Sequence, residues 1–255
     1  MIPLEDTFGD ILRKAMRGTK TDAPALAAET DISAAQIAAW LEDDGAAGSA
    51  ANAWYPPPVE RPDVRRHAQL PQPSNGYVFF LDGGKRAALV DPAGLPENLL
   101  RILRDGSYHL QYILITHKHK DHCDATAEVA AAFPQARIVM HPLDAPAIGI
   151  LAESVIPVRD GDEIPFGDDV NIRMLHTPGH TDGSSCYLFK STIFTGDTLF
   201  AASVGGAYGD VSTYGDILNS VRSKLFTLPD VTAVMPGHGP PTTIELEKAH
   251  NPFFP

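Results

Sequence analysis

The most constraining stretch of this chain is Tyr112-Ile113-Leu114-Ile115-Thr116, which runs straight into His117-Lys118-His119-Lys120-Asp121-His122. A short apolar run rich in β-branched residues reads as a buried strand. Four imidazole or carboxylate groups follow within six residues, and they are ligand types suited to zinc, iron or manganese. The i, i+2 spacing of His117 and His119 lets an extended backbone turn both rings to one side. Asp121 and His122 stand where the chain would turn into the next helix. The bland alternative is a solvated polar loop.

Three later segments repeat the arrangement. Thr177-Pro178-Gly179-His180-Thr181 places a histidine in a tight turn after an apolar strand. Phe194-Thr195-Gly196-Asp197-Thr198 places an aspartate after another, and Met235-Pro236-Gly237-His238-Gly239-Pro240 returns to histidine. Strand ends converging on one edge of a sheet are where α/β proteins build their sites. Together with the first cluster these segments supply seven candidate ligands, His117, His119, Asp121, His122, His180, Asp197 and His238. That number suffices for two metal ions.

The rest of the chain divides into three. Residues 1–42 read as helical, with Phe8, Ile11, Leu12 and Met16 and then Leu26, Ile32, Ile37, Trp40 and Leu41 at helical spacing. Ser33 is placed to cap a helix over 34–42, so the segment looks like a small helix-turn-helix appendage. Its would-be recognition helix contains no Lys or Arg, and residues 1–50 hold four basic against nine acidic side chains. A packing or oligomerisation role is therefore expected ahead of DNA binding. Residues 43–75, with Pro56-Pro57-Pro58, Pro71 and Pro73, read as an irregular linker or wrapping arm pinned by Trp54 and Tyr55. From Gly76 to the end, strands are expected at 77–81 and 86–90 around an Asp82-Gly83-Gly84 turn, then at 112–116, 137–140, 163–166, 170–175, 185–189, 192–195 and 231–235. Helices are expected at 96–104, 125–133 and 212–226. This mixture predicts a layered α/β fold with sheets covered by helices.

The formal charge is −12, from 20 basic and 32 acidic residues. A nucleic-acid or anionic-membrane partner needs a basic face, so neither is expected. Two cysteines, no basic and apolar leader at the first residues and no apolar run near 18 residues point to a reducing, cytoplasmic setting.

The seven residues and their spacing resemble the metallo-β-lactamase superfamily. Its H-x-H-x-D-H motif matches residues 117–122 at every defined position, and its later ligands match His180, Asp197 and His238. The resemblance covers roughly residues 76–255 and implies an αβ/βα four-layer sandwich. It also implies that His117, His119 and His180 hold one metal, that Asp121, His122 and His238 hold a second, and that Asp197 bridges them. Within the superfamily, the segments 177–184, 195–200, 237–243 and 251–253 look most like glyoxalase II (hydroxyacylglutathione hydrolase) and its short prokaryotic relatives. True β-lactamases of this fold usually carry Cys where Asp197 stands.

That resemblance implies a metal-dependent hydrolase of a small thioester or acyl ester, using a hydroxide held between two divalent ions, zinc first, with iron or manganese as alternatives. Asp121 and Asp197 would act through the metals, with general-base roles ranked second. Two bound ions would bring the net charge from −12 to about −8, making the site the one locally positive spot. Tyr187 aligns with a tyrosine that contacts glutathione in glyoxalase II, and His141, Tyr208 and Tyr214 are further candidates for the substrate pocket. The long glyoxalase II enzymes bind glutathione through basic residues of an added helical domain, whereas only Lys248 is basic after His238 here. Lactonase, phosphodiesterase and mononuclear-iron persulfide dioxygenase chemistries share the scaffold. A DNA-binding regulator working through residues 1–42 is the reading from another class, and a homo-oligomer is compatible with all of them.

Overall fold

The computed structural model describes residues 16, 22–24, 27, 33–42, 56–69, 74–207 and 213–254. Most of the expected helical stretch before residue 33, Trp54 and Tyr55, Pro71 and Pro73, and Tyr208 lie outside the described residues.

Helix α1 spans Ala34–Glu42, as its pattern predicts, and buries Ile37. A first sheet has six strands in the order β1-β2-β3-β4-β5-β6. These are β1 (Val64–Gln69), β2 (Ser74–Leu81), β3 (Arg86–Val90), β4 (Leu110–Leu114), β5 (Arg137–Met140) and β6 (Ile156–Pro157). The first three pair antiparallel, and β3 through β6 pair parallel. The parallel crossovers carry α2 (Pro96–Asp105), α3 (Lys120–Cys123) and α4 (Thr126–Ala132).

The second sheet has the order β14-β13-β10-β9-β8-β7. It contains β7 (Glu163–Pro165), β8 (Asn171–His176), β9 (Ser185–Phe189), β10 (Thr192–Gly196), β13 (Ala233–Pro236) and β14 (Thr242–Thr243). A small hairpin, β11 (Leu199–Phe200) with β12 (Ser203–Val204), follows β10. Helix α5 (Tyr214–Ser220) starts from Thr213, whose hydroxyl accepts from Asp216 N at 3.0 Å, and continues as a π-helical turn over Val221–Leu225. Helix α6 (Ile244–His250) closes the chain.

The period-2 alternation of strands explains the layering. On β3, Ala88 and Val90 face the second sheet, while Ala87 and Leu89 face α2 and α4. Phe79 of β2 stacks on Phe194 of β10 with ring centroids 4.9 Å apart, at the centre of the inter-sheet core. The outer face of the second sheet, Cys186, Ile193 and Val234, packs on Ile217 and Ile244 of α5 and α6. The four-layer αβ/βα sandwich expected from the motif is therefore the observed architecture.

One boundary moves. The sequence pattern reads 43–75 as an irregular linker or arm and starts the main domain at Gly76. Instead β1 lies inside that segment and β2 begins at Ser74. The physical reason is that β1 is an edge strand whose sequence, Val64-Arg65-Arg66-His67-Ala68-Gln69, turns Val64 to the inter-sheet core. Charged edge strands carry little apolar alternation. The short elements β6, β11, β12 and β14, and helices α3 and α6, likewise carry too little periodicity to be read locally.

Candidate metal centre

Each candidate ligand sits just past the C-terminal end of a strand. His117 and His119 follow β4, Asp121 and His122 form the first turn of α3, His180 lies in the β8–β9 loop, Asp197 follows β10, and His238 follows β13. His119 keeps an extended backbone (φ −70°, ψ 145°), so His117 and His119 point to one side, as their spacing predicts. His117, His122, His180, Asp197 and His238 are buried, whereas His119 and Asp121 are half-buried.

The structure brings all seven together. Donor atoms of His117, His119 and His180 form one group, those of Asp121, His122 and His238 a second, and His117, His122 and Asp197 a group between them, each within 4.8 Å. His119 Nδ1 lies 2.8 Å from His180 Nε2, and His122 Nε2 lies 3.3 Å from His238 Nε2. Asp197 spans both sides, with Oδ1 3.3 Å from His122 Nε2 and Oδ2 3.4 and 3.5 Å from Nε2 of His180 and His238. Asp121 Oδ2 is 3.5 Å from His238 Nε2.

Partners outside the cluster set which ring nitrogen carries the proton. His180 Nδ1 is 2.6 Å from the carbonyl of Gly206, which only accepts, so Nδ1 donates. His122 Nδ1 donates to Asp91 Oδ2 at 2.9 Å. The Thr116 hydroxyl spends its single proton on Asp91 Oδ2 at 2.8 Å, so it accepts from His117 Nδ1 at 3.0 Å. In the neutral rings all three Nε2 lone pairs then face inward, toward two carboxylates. Imidazole nitrogens and carboxylate oxygens gathered in a buried pocket suit a cation. Two of these atoms, His117 Nε2 and Asp197 Oδ1, are buried with no hydrogen-bond partner. Gly237 keeps the pocket open, because a Cβ there would fall 2.7 Å from His122 Cε1 and onto the Asp197 carboxylate. The residues present fit divalent metal ions.

Electrostatics agree. Burial, with the charge of His122, holds His117 well below the usual histidine range, and burial with His180 lowers His119. Burial would raise the two carboxyls, but His122 and His238 outweigh it, keeping Asp197 well below its usual range and lowering Asp121. Burial also disfavours a charged His122, yet Asp197, Asp91 and Asp121 outweigh it and hold its proton. A cation entering the cluster would take over that role and release the proton.

Sequence reasoning missed the residues that orient the ligands. Asp91, directly after β3, accepts from His122 and from both the amide and hydroxyl of Thr116. Asp144 accepts from Lys118 N at 3.1 Å, Thr181 Oγ1 at 2.6 Å and Gly183 N at 3.1 Å, tying the first histidine loop to the His180 loop. Asp91-Pro92 shares the polar-after-strand grammar of the ligand segments, and that signal could have flagged it.

The proposed substrate residues fare differently. Tyr187 is wholly buried in the inter-sheet core, its hydroxyl donating to Ile115 O at 3.0 Å, so it is a packing residue and not a substrate contact. Tyr214 packs on the outer core with its ring against Phe253. His141 is buried and stacks face to face on His176, centroids 4.2 Å apart, outside the ligand groups. Cys123 is a packing thiol, buried beside Ala125 and Val129. Asp124, next to it, accepts from Gly94 N at 3.0 Å. A cavity of about 530 Å³ lies between Pro56–Pro58, Arg66 and the Gly239 turn, and none of the candidate ligands lines it.

The sequence profile described as the Metallo-beta-lactamase superfamily matches residues 71–238. The chain belongs to that superfamily. It is 32% identical over 189 residues to the hydroxyacylglutathione hydrolase GloC of Haemophilus influenzae, covering 68% of this chain and 89% of that one. Among solved structures it is similar to ETHE1 from Myxococcus xanthus, with a TM-score of 0.65, 31% identity, and 74% and 83% of the two chains covered. It is also similar to TTHA1623, solved in a di-iron-bound form, with a TM-score of 0.64, 31% identity, and 74% and 99% covered. Among the described residues no helix is long and apolar enough to cross a membrane.

Proposed function

We propose that this protein is a metal-dependent hydrolase of a small thioester, of the glyoxalase II kind, with two divalent ions held by His117, His119 and His180 on one side, by Asp121, His122 and His238 on the other, and by Asp197 between them. The observation that carries the reading is the convergence of seven candidate ligands, with Nε2 of His117, His122 and His180 turned inward, on a buried space where Nε2 of His117 and Oδ1 of Asp197 lack hydrogen-bond partners. The similarity to a hydroxyacylglutathione hydrolase and to a protein solved with two irons supports it.

Divalent metals at such a site lower the pKa of bound water toward about 7 and polarise a carbonyl. The chain's own residues prepare the place. Asp91, through His122 and Thr116, fixes two imidazole rings, and the Gly206 carbonyl fixes a third. Asp121 and Asp197 present their oxygens to the cluster, so ligation ranks ahead of general-base work. The Phe200 ring stands edge-on to His238, centroids 5.6 Å apart.

The test is a hydrolysis panel of S-lactoylglutathione, other thioesters, lactones, phosphodiesters and a β-lactam, with metal content measured on the same sample. Thioester turnover with two ions per chain, lost to a chelator and restored by adding metal back, is the expected result. Undiminished turnover after complete metal removal refutes the reading. One iron per chain with no thioester turnover points instead to a mononuclear oxidation on the same scaffold.

A further inference from the structure

Glu247 of α6 is wholly buried, which for a carboxylate demands partners. It has three. Thr242 Oγ1 donates to Oε1 at 2.7 Å, while Asn251 Nδ2 and Ala202 N donate to Oε2 at 2.8 and 3.0 Å. Ala202 lies in the turn between β11 and β12 at φ +56°, a conformation that few non-glycine residues adopt. Asn251 grips the same turn from the other side, donating to Ser203 O at 3.0 Å. The turn is therefore held at both its N–H and its carbonyl.

The hairpin so held connects two parts of the cluster. It leaves Asp197 at one end and returns at the other to Gly205 and Gly206. The Gly205 Cα lies so close to the Asp197 carbonyl that a Cβ there would collide with it. The Gly206 carbonyl takes the His180 proton at 2.6 Å. Displacing the turn would shift the group that sets the His180 ring and the segment packed on Asp197.

We propose that Glu247, through Ala202 and with Asn251, is a positioning residue for the metal centre: it holds the β11–β12 hairpin where the Gly206 carbonyl orients His180. The inference rests on reading the cluster as a metal site. Its ligand-facing consequence is metal affinity, which a residue serving only global stability would leave unchanged.

The chemistry of the three bonds separates the variants. In Glu247→Gln the amide oxygen can accept from Ala202 N and Asn251, and the amide NH₂ can donate to the Thr242 hydroxyl, which rotates to accept. Glu247→Ala removes all three partners. Zinc affinity of the full-length folded protein is measured by chelator competition, alongside thermal unfolding and circular dichroism. Supporting partners of metal ligands alter affinity by about 10–100-fold. We expect a loss of about tenfold in E247A and wild-type affinity in E247Q. Asn251→Ala, which keeps two bonds to the carboxylate, should lose affinity in the same direction by about threefold. It carries the decision if E247A does not fold. Wild-type affinity in a folded E247A or N251A, with only the unfolding temperature lowered, overturns the proposal, as does a loss in E247Q equal to that in E247A. A wild-type protein that binds no metal would refute the site itself and is distinguishable from either result.

Discussion

The same carboxyl allows a quantitative prediction about stability. Burial raises Glu247 from 4.5 to about 7, against the opposing pull of hydrogen bonds from Thr242, Asn251 and Ala202. The folded state therefore binds this proton more tightly than the unfolded state. Stability from the protonated carboxyl is fully present below pH 4.5 and is lost as pH rises toward about 7, beyond which the loss is complete. At 1.36 kcal/mol per pH unit, the shift amounts to about 3 kcal/mol. Glu247→Gln cannot titrate and keeps the geometry of the protonated form. Urea unfolding of both proteins at matched free metal, from pH 4.5 to 8, should show the Gln variant gaining about 3 kcal/mol on the wild type across the window. Taking the difference between the pair cancels every group they share. A flat difference, or one that grows in favour of the wild type as pH rises, would refute the account of a buried carboxyl held by neutral donors.

Three further outcomes follow from other parts of the molecule. Asp91→Asn sets an amide donor against either the His122 and Thr116 side chains or the Thr116 amide, and should weaken metal binding about 10–100-fold by chelator competition; unchanged affinity would remove Asp91 from its orienting role. Tyr187→Phe should cost about 1 kcal/mol of stability through the lost bond to Ile115 O and leave KM for the best substrate unchanged, so a raised KM would restore a substrate role. Burial pushes the Cys123 thiol up to about 12, so alkylation at pH 8 should be slow in the folded protein and fast in denaturant, and rapid native labelling would contradict that environment.

The candidate ligands were legible because their signal is local. Four crowd into six residues just past an apolar strand, and the other three stand beside Gly after strands of their own; strand ends of α/β folds gather on one edge. The αβ/βα architecture was legible through the same motif, and most strand and helix positions through periodicity. Residues whose roles depend on contacts distant in sequence were not. Tyr187 looks the same in sequence whether its strand face meets solvent, a ligand or another sheet, and only the order of the second sheet turned it into the inter-sheet core. Strand β1 escaped because an edge strand has no need of apolar alternation.

The sequence alone determined which donors are available and that they would converge, because ligand chemistry and strand-end placement are both written in short words. Tertiary structure alone decided what holds those donors in position. Asp91 reaches His122 across 31 residues, and a backbone carbonyl at Gly206, which has no side chain to read, directs His180. The hairpin supplying that carbonyl is anchored 45 residues away by Glu247. Such partners follow from which elements pack together, and hydrogen-bond geometry at long separation in the chain leaves no local pattern from which to infer it.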